Sequence, residues 1–245
     1  MKQIRTELSS HAWMTGFIHE PNPEMPNHVD FPAILVLPGG GFRFCSAREG
    51  EPVAAAFYAA GYSSFVLDYT TVTKKPDAVI DDPMKDTELA LHWIREHAAE
   101  YALRGDQVAM IGFSGGSHLA AAVATHDPER PDALILGYPG ILHSKLRALE
   151  CPDIIEYVDE NTPPTFMFST RDDKVTPPKH PLAMANALDA AGVSFEMHIF
   201  RSGPHGLSLA NDVTSAGNPA MVNPAFAGWL TMCLEWLKAE MTCKK

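Results

Sequence analysis

The sequence contains few cysteines and no Cys-x-x-Cys pair. Only four of its 245 residues are cysteine, and no histidines are spaced beside them as a zinc site would require. Free thiols in a reducing compartment are the simplest expectation, and we expect no metal site. The four cysteines are Cys45, Cys151, Cys233 and Cys243.

Long hydrophobic runs and an excess of positive charge are also missing. Residues Met1–Glu7 lack the apolar stretch of a signal peptide, and no later segment approaches the length needed to span a bilayer. Acidic residues outnumber basic ones 30 to 19, a net charge of −11, and the basic residues form no stripe. Such a charge disfavours nucleic acid and anionic membranes as partners. We therefore expect a cytoplasmic protein that binds no nucleic acid and no membrane.

The chain has no linker, internal repeat or low-complexity tract. Hydrophobic residues make up 46% of it and charged residues 20%, which is ordinary for a globular protein. This length is sufficient to bury a substantial core. We predict a single domain spanning residues 1–245.

Short apolar segments alternate with helical patterns along the chain. Predicted strands are Met14–His19, Ala33–Leu37, Tyr62–Tyr69, Val108–Phe113, Ala133–Tyr138, Thr165–Thr170 and Phe195–Phe200. Predicted helices are Glu51–Ala60, Asp81–Tyr101, the segment after Ser114, Lys179–Ala191 and about Ala225–Met241. The alternation predicts an α/β fold, a mostly parallel twisted sheet with helices on both faces. Functional residues are then expected at the carboxyl ends of the strands.

Gly112-Phe113-Ser114-Gly115-Gly116 lies between a predicted strand and an alanine-rich predicted helix. A serine at the apex of such a turn adopts a sparsely populated backbone conformation, and the flanking glycines let the strand and helix pass closely. The N–H groups at the start of the helix would favour an oxyanion near the hydroxyl. An ordinary glycine-rich turn could have these residues, but the strand and helix on either side favour Ser114 as a nucleophile for acyl transfer.

A serine nucleophile needs a base within hydrogen-bonding reach. Among the histidines we predict His205, because its Gly203-Pro204-His205-Gly206 loop directly follows the last predicted strand. His118 is close to Ser114 in sequence, but a residue one turn along the helix projects sideways from the serine. We expect His118 to pack or hydrogen-bond beneath the site.

The base in turn needs a carboxylate to orient it. Asp172 and Asp173 both follow the strand Thr165–Thr170, and the residues by themselves leave both candidates open. A turn or helix-capping role is the alternative for each. Asp68 and Asp86 are poorer candidates, because they precede the serine in the chain.

The glycines of Pro38-Gly39-Gly40-Gly41-Phe42 follow a predicted buried strand. Backbone N–H groups there can face a cavity without interference from side chains. A flexible turn is one interpretation. A group of donors for an oxyanion is the other, and the exposed serine nucleophile favours it.

Together these motifs, with Tyr138-Pro139 and Asp173 through Pro177, resemble the α/β-hydrolase superfamily. The resemblance spans about Ile34 to Trp236 and is closest to acetyl-esterase and acetylxylan-esterase-like serine hydrolases related to the hormone-sensitive-lipase group. It implies Asp173 as the acid, because the family's aspartate lies four residues before a proline. It also implies the backbone N–H groups of Gly40, Gly41 and Gly115 as oxyanion donors.

The resemblance implies a serine carboxylesterase for short, mainly acetyl, esters, including those of carbohydrates, with no cofactor. The core strands begin by about residue 33, so we expect no large cap. The segments Ile141–Pro163 and Leu207–Pro224 are the insertions expected to shape a pocket. Two alternatives stay open: an amidase or peptidase of arylformamidase-like activity, and a hydrolase-fold binding protein without catalysis. A homo-oligomer is also possible.

Overall fold

The computed structural model describes residues 1–143 and 148–242. Its centre is an eight-stranded sheet with the strand order β1-β2-β4-β3-β5-β6-β7-β8. The strands are β1 (Lys2–Ser9), β2 (Ala12–Ile18), β3 (Phe31–Leu37), β4 (Ser63–Asp68), β5 (Leu103–Phe113), β6 (Ala133–Gly137), β7 (Thr165–Thr170) and β8 (Phe195–Phe200). β2 pairs antiparallel with β1 and β4, and the strands from β4 to β8 are parallel.

Helices cover both faces of this sheet. They are α1 (Glu51–Ala59), α2 (Asp81–Glu96), α3 (Gly115–His126), α4 (Lys179–Ala190), α5 (Pro224–Ala227) and α6 (Trp229–Thr242). One core cluster packs α2, α3 and α4 against the sheet, and a second packs α1 and α6 against the opposite face. β3 and β5 lie centrally between these layers, which explains the buried apolar runs Ala33–Leu37 of β3 and Val108–Phe113 of β5. The α/β expectation is confirmed.

The register of the parallel strands places four functional loops along one edge of the sheet. Leu37 pairs with Gly112, and Thr170 pairs with Phe200. The chain leaves the sheet after β3, β5, β7 and β8 on this side, so the loops after these strands are neighbours. This is the carboxyl edge at which α/β sheets bind ligands.

Several elements differ from the sequence prediction, among them β5, which begins at Leu103 rather than at Val108. β1 was not predicted, although Ile4, Thr6 and Leu8 alternate with charged or polar residues as an edge strand would require. α2 ends at Glu96 rather than at Tyr101, because a turn follows before β5. The closing helix is divided into α5 and α6, with Gly228 between them in a helical conformation.

No disulfide joins cysteines within residues 1–143 and 148–242, and Cys243 lies outside that part of the chain. None of the helices there is both long and apolar enough to cross a membrane.

Candidate active site

Ser114 lies at the turn between β5 and α3 with a backbone φ of 53°, in the left-handed region. The close approach of the strand and helix explains the glycines around it. A Cβ on Gly116 would lie 2.2 Å from the Leu37 carbonyl oxygen. The Ser117 hydroxyl also fixes the turn by donating to the Gly112 carbonyl at 2.6 Å. The Ser114 hydroxyl is therefore held at the carboxyl edge of the sheet.

The imidazole of His205 faces that hydroxyl. His205 Nε2 lies 2.8 Å from Ser114 Oγ, and His205 Nδ1 lies 2.7 Å from Asp173 Oδ2. The carboxylate accepts from Nδ1–H, so Nε2 is the nitrogen that can accept the serine proton. The structure thus brings together the serine, histidine and aspartate singled out in the sequence.

Asp173 is almost fully buried and accepts several hydrogen bonds. Its Oδ1 accepts from the N–H groups of Val175 and Thr176 at 2.8 and 2.9 Å. Burial, the largest influence, raises the pKa of Asp173, but the hydrogen bond from His205 and the charge of His205 bring that pKa below its ordinary value. Asp173 therefore carries the negative charge that orients the ring.

The other candidates lie elsewhere. Asp172 is exposed. Asp68 pairs with Lys74, and Asp86 accepts from the Thr70 N–H. The His118 ring is buried, with Nδ1 lying 3.2 Å from the carbonyl oxygen of Gly140. Its packing role beneath the site agrees with the expectation.

Gly40, Gly41 and Gly115 all line the cavity beside Ser114. A Cβ on Gly115 would lie 3.5 Å from Gly41 N, so the loop after β3 and the start of α3 are adjacent. None of these three N–H groups has a hydrogen-bond partner among the described residues. The loop and the helix start can therefore supply donors to one anionic oxygen.

The cavity has a volume of about 290 Å³ and opens to solvent. Its described lining comes from the loops after β3, β5, β6, β7 and β8, including Arg43, Phe44 and Val175. None of the described residues of Ile141–Pro163 and Leu207–Pro224 lines the cavity, contrary to the expectation, and residues 144–147 of the first segment lie outside the described part of the chain. Residues just after β3 line it instead, and Ala148, from the first of these segments, contacts them by donating its N–H to the Gly41 carbonyl at 2.9 Å.

Several polar residues of the site were not found in the sequence. Thr176 donates to the Tyr138 carbonyl at 2.9 Å and contacts both Asp173 and His205. Glu49 is a buried acid in the cavity wall. The position of Thr176, three residues after Asp173, could have suggested its role, whereas nothing local marks Glu49. Among the described residues, no group of three or more histidine, cysteine, aspartate or glutamate side chains could hold a metal ion.

Comparisons with known proteins place the chain among known families. A family model described as BD-FAE matches residues 21–135, and the prolyl oligopeptidase family matches residues 150–216. The chain is 34% identical over 213 residues to endo-1,4-beta-xylanase B of Butyrivibrio fibrisolvens, a match covering 75% of this chain and 34% of that protein. It is 27% identical over 209 residues to an acetylxylan esterase of Xylanibacter ruminicola, covering 76% of this chain and 43% of that protein. The chain thus spans less than half the length of these two relatives.

A solved structure is similar over nearly the whole chain. MGS-M1, an alpha/beta hydrolase enzyme from a Medee basin deep-sea metagenome library, is 37% identical with a TM-score of 0.92. The match covers 99% of this chain and 98% of that one. The likeness therefore extends over the whole fold rather than one part of it.

Proposed function

This chain belongs to the esterase-like α/β-hydrolases, and on that premise we propose that it hydrolyses short-chain acyl esters through Ser114, His205 and Asp173. One observation carries the proposal. The His205 ring lies within hydrogen-bonding distance of both Ser114 Oγ and Asp173 Oδ2. A serine so placed can lose its proton to the ring as it attacks a carbonyl carbon.

In the first half of the reaction, Ser114 Oγ attacks the ester carbonyl and its proton passes to His205 Nε2. Asp173 stabilises the imidazolium that forms. The N–H groups of Gly41 and Gly115, with that of Gly40, stabilise the oxyanion of the tetrahedral intermediate. Each such donor contributes about 3 kcal/mol in comparable sites.

In the second half, the intermediate collapses to an acyl-enzyme, and the alcohol leaves with the proton from His205. Water then attacks the acyl carbonyl, giving up its own proton to His205. A second collapse releases the carboxylic acid and returns the proton to Ser114. Every proton is accounted for by the one imidazole, so the reaction consumes only water.

The cavity supports a small acyl group on a soluble alcohol. Its volume of about 290 Å³ lies at the lower end of ligand pockets. The exposed ring of Phe44 and the polar groups of Arg43 and Ser46 line its walls. An aromatic ring beside polar groups suits a sugar, which has both apolar faces and hydroxyls. With the acetylxylan esterase among the relatives, these features support an acetylated carbohydrate as the substrate class.

The test is hydrolysis of p-nitrophenyl acetate and labelling by a fluorophosphonate probe. Ser114→Ala should abolish both, and peptide mapping should place the label on Ser114. Ser46→Ala is the matched control, because Ser46 lines the same cavity without contacting His205. It should retain labelling. Near-normal turnover by the Ser114 variant would refute the proposal.

An amidase is the second candidate, since the prolyl oligopeptidase match covers the segment that carries Asp173 and His205. The same three side chains can cleave an amide if His205 protonates the leaving nitrogen. Comparing turnover of p-nitrophenyl acetate, acetylated xylo-oligosaccharides and formyl anilides separates the two functions. We expect the esters to be the better substrates.

A further inference from the structure

The mechanism above leaves one buried acid of the cavity wall without a role. Glu49 is 3% exposed and lies in a short 3-10 turn just before α1. Its Oε2 accepts from the Gly39 N–H at 2.8 Å, and its Oε1 accepts from the Tyr138 hydroxyl at 2.5 Å. A carboxylate removed from water is costly unless its oxygens receive such donors.

The neighbours of the Tyr138 hydroxyl set the direction of its hydrogen bond to Glu49. The Tyr138 oxygen accepts from the Ser208 N–H at 3.1 Å, so the proton of the hydroxyl is directed at Glu49. Gly39 N–H can only donate. Burial, and then the Glu49 carboxylate, raise the pKa of Tyr138 well above its usual range, so the phenol remains a donor. Both oxygens of Glu49 therefore act as acceptors.

These bonds connect two loops that are distant in sequence. Gly39 opens the loop after β3 that carries Gly40 and Gly41, which we call the oxyanion loop (residues 38–44). Ser208 follows His205 in the loop after β8, which we call the histidine loop (residues 201–210). The Tyr138 ring packs edge-on against the His205 ring, with 5.1 Å between the centroids.

Arg48 strengthens the same connection beside Glu49. Its guanidinium donates to the Gly206 carbonyl at 3.1 Å, and its own carbonyl accepts from the Ser208 hydroxyl at 2.6 Å. The turn that ends at Glu49 thus contacts the histidine loop through backbone and side chain. Through its side chains and its backbone, this turn therefore contacts both the oxyanion loop and the histidine loop.

We propose that Glu49 is a positioning residue, whose carboxylate sets the separation between the oxyanion loop and the histidine loop. This inference rests on the proposed ester hydrolysis. The oxyanion donors and the base must be in place at the same moment, and small displacements of reacting groups reduce rates strongly. Glu49 therefore acts on the transition state and has little effect on substrate binding.

The test is Glu49→Gln in the full chain. Glutamine keeps the size but presents an NH₂ group to one of the two donors, so the link to Gly39 or to Tyr138 is lost. For p-nitrophenyl acetate, we expect kcat to fall about 10- to 100-fold, with KM changing less than about threefold. Affinity for a trifluoromethyl ketone, whose tetrahedral adduct places an oxyanion in the site, should fall by the same factor as kcat/KM.

Asp86→Asn is the matched control. Asp86 is equally buried, at 3% exposed, and accepts from the Thr70 N–H and the Ser9 hydroxyl, each at 2.8 Å. It does not line the cavity. This variant should lower Tm while leaving kcat/KM and the ketone affinity within about threefold of the parent values, because its contacts serve stability only.

Tyr138→Phe removes the hydroxyl that donates to Glu49, so it breaks the same connection through the partner residue. It tests the proposal if Glu49→Gln does not fold. Its loss of kcat should again be matched by the loss of ketone affinity. In the double variant the two losses should not multiply, because they break one connection. Changes below about threefold in both single variants, or full multiplication in the double variant, overturn the role of Glu49. A parent protein without Ser114-dependent turnover instead overturns the proposed function itself.

Discussion

Asp173 is buried against His205, whereas its sequence neighbour Asp172 points to solvent. Asp173 is the one buried residue of the turn 171–175, so a single peptide unit separates a site residue from a surface residue. Because Asp172 and Asp173 differ so much in their surroundings, comparing substitutions at the two positions tests which aspartate belongs to the site.

Asp173→Asn should reduce kcat by several orders of magnitude, since an amide can hold the ring in the wrong tautomer and cannot stabilise the imidazolium. In a comparable triad this change costs about 10⁴-fold. Asp172→Asn should change kcat by less than about threefold, as expected of an exposed side chain. Steady-state kinetics on p-nitrophenyl acetate measure both. Equal losses in the two variants would show that the acid is misassigned.

The pH dependence of stability should reveal the same carboxylate. The pKa of Asp173 is lower in the folded state than the ordinary value of an aspartate, so its ionised form stabilises the fold. That contribution is complete above the unfolded pKa of about 4 and is lost as pH falls through the folded value. The stability difference between the parent protein and Asp173→Asn should therefore shrink as the pH falls below about 4. Urea unfolding measured over that pH range tests this prediction, and a stability difference that stays constant with pH contradicts it.

Two neighbouring glycines should respond differently to alanine. A Cβ on Gly115 meets Gly41 at 3.5 Å, an ordinary contact, so Gly115→Ala should fold and retain activity. A Cβ on Gly116 would lie 2.2 Å from the Leu37 carbonyl oxygen and 2.6 Å from that of Pro38. Gly116→Ala should thus lower the free energy of unfolding by at least about 2 kcal/mol or prevent folding. Thermal melts and soluble yield distinguish the variants, and equal Tm values would contradict the packing described here.

Phe44 is expected to select the alcohol part of the substrate. Its ring is 58% exposed, and its Cδ2 lies 3.3 Å from the position of a Gly40 Cβ, at the edge of the oxyanion loop. Phe44→Ala should raise KM about threefold to tenfold for acetylated xylo-oligosaccharides, the range expected for one aromatic contact. Turnover of ethyl acetate, which has no ring to contact Phe44, should stay unchanged. Val213→Ala, at an exposed position outside the cavity lining, is the control.

Much of the site could be predicted because its residues follow local patterns. Ser114 lies in a glycine-flanked turn between an apolar strand and an alanine-rich helix, and both features are visible in the sequence. Asp173 and His205 directly follow predicted strands, and parallel strands bring their carboxyl ends to one edge. The α/β fold follows from the same alternation and is confirmed.

The remaining features depend on contacts that no local pattern records. Glu49 resembles any acid before a helix until the fold places Tyr138 and Gly39 against its two oxygens. The end of α2 at Glu96 also depends on tertiary structure, because the chain must reverse direction before β5 begins at Leu103. β1, in contrast, left a readable alternation, and its interpretation as an edge strand was available from the sequence.

The left-handed backbone conformation of Ser114 has a consequence for the stability of the chain. A side chain held at this φ costs on the order of 1 to 3 kcal/mol, which glycine at the same position would not incur. Ser114→Gly should therefore melt at a higher temperature than Ser114→Ala, although both lack the nucleophile. Ser114→Gly should also be more stable than the active parent, which would place reactivity and stability in opposition at this one residue.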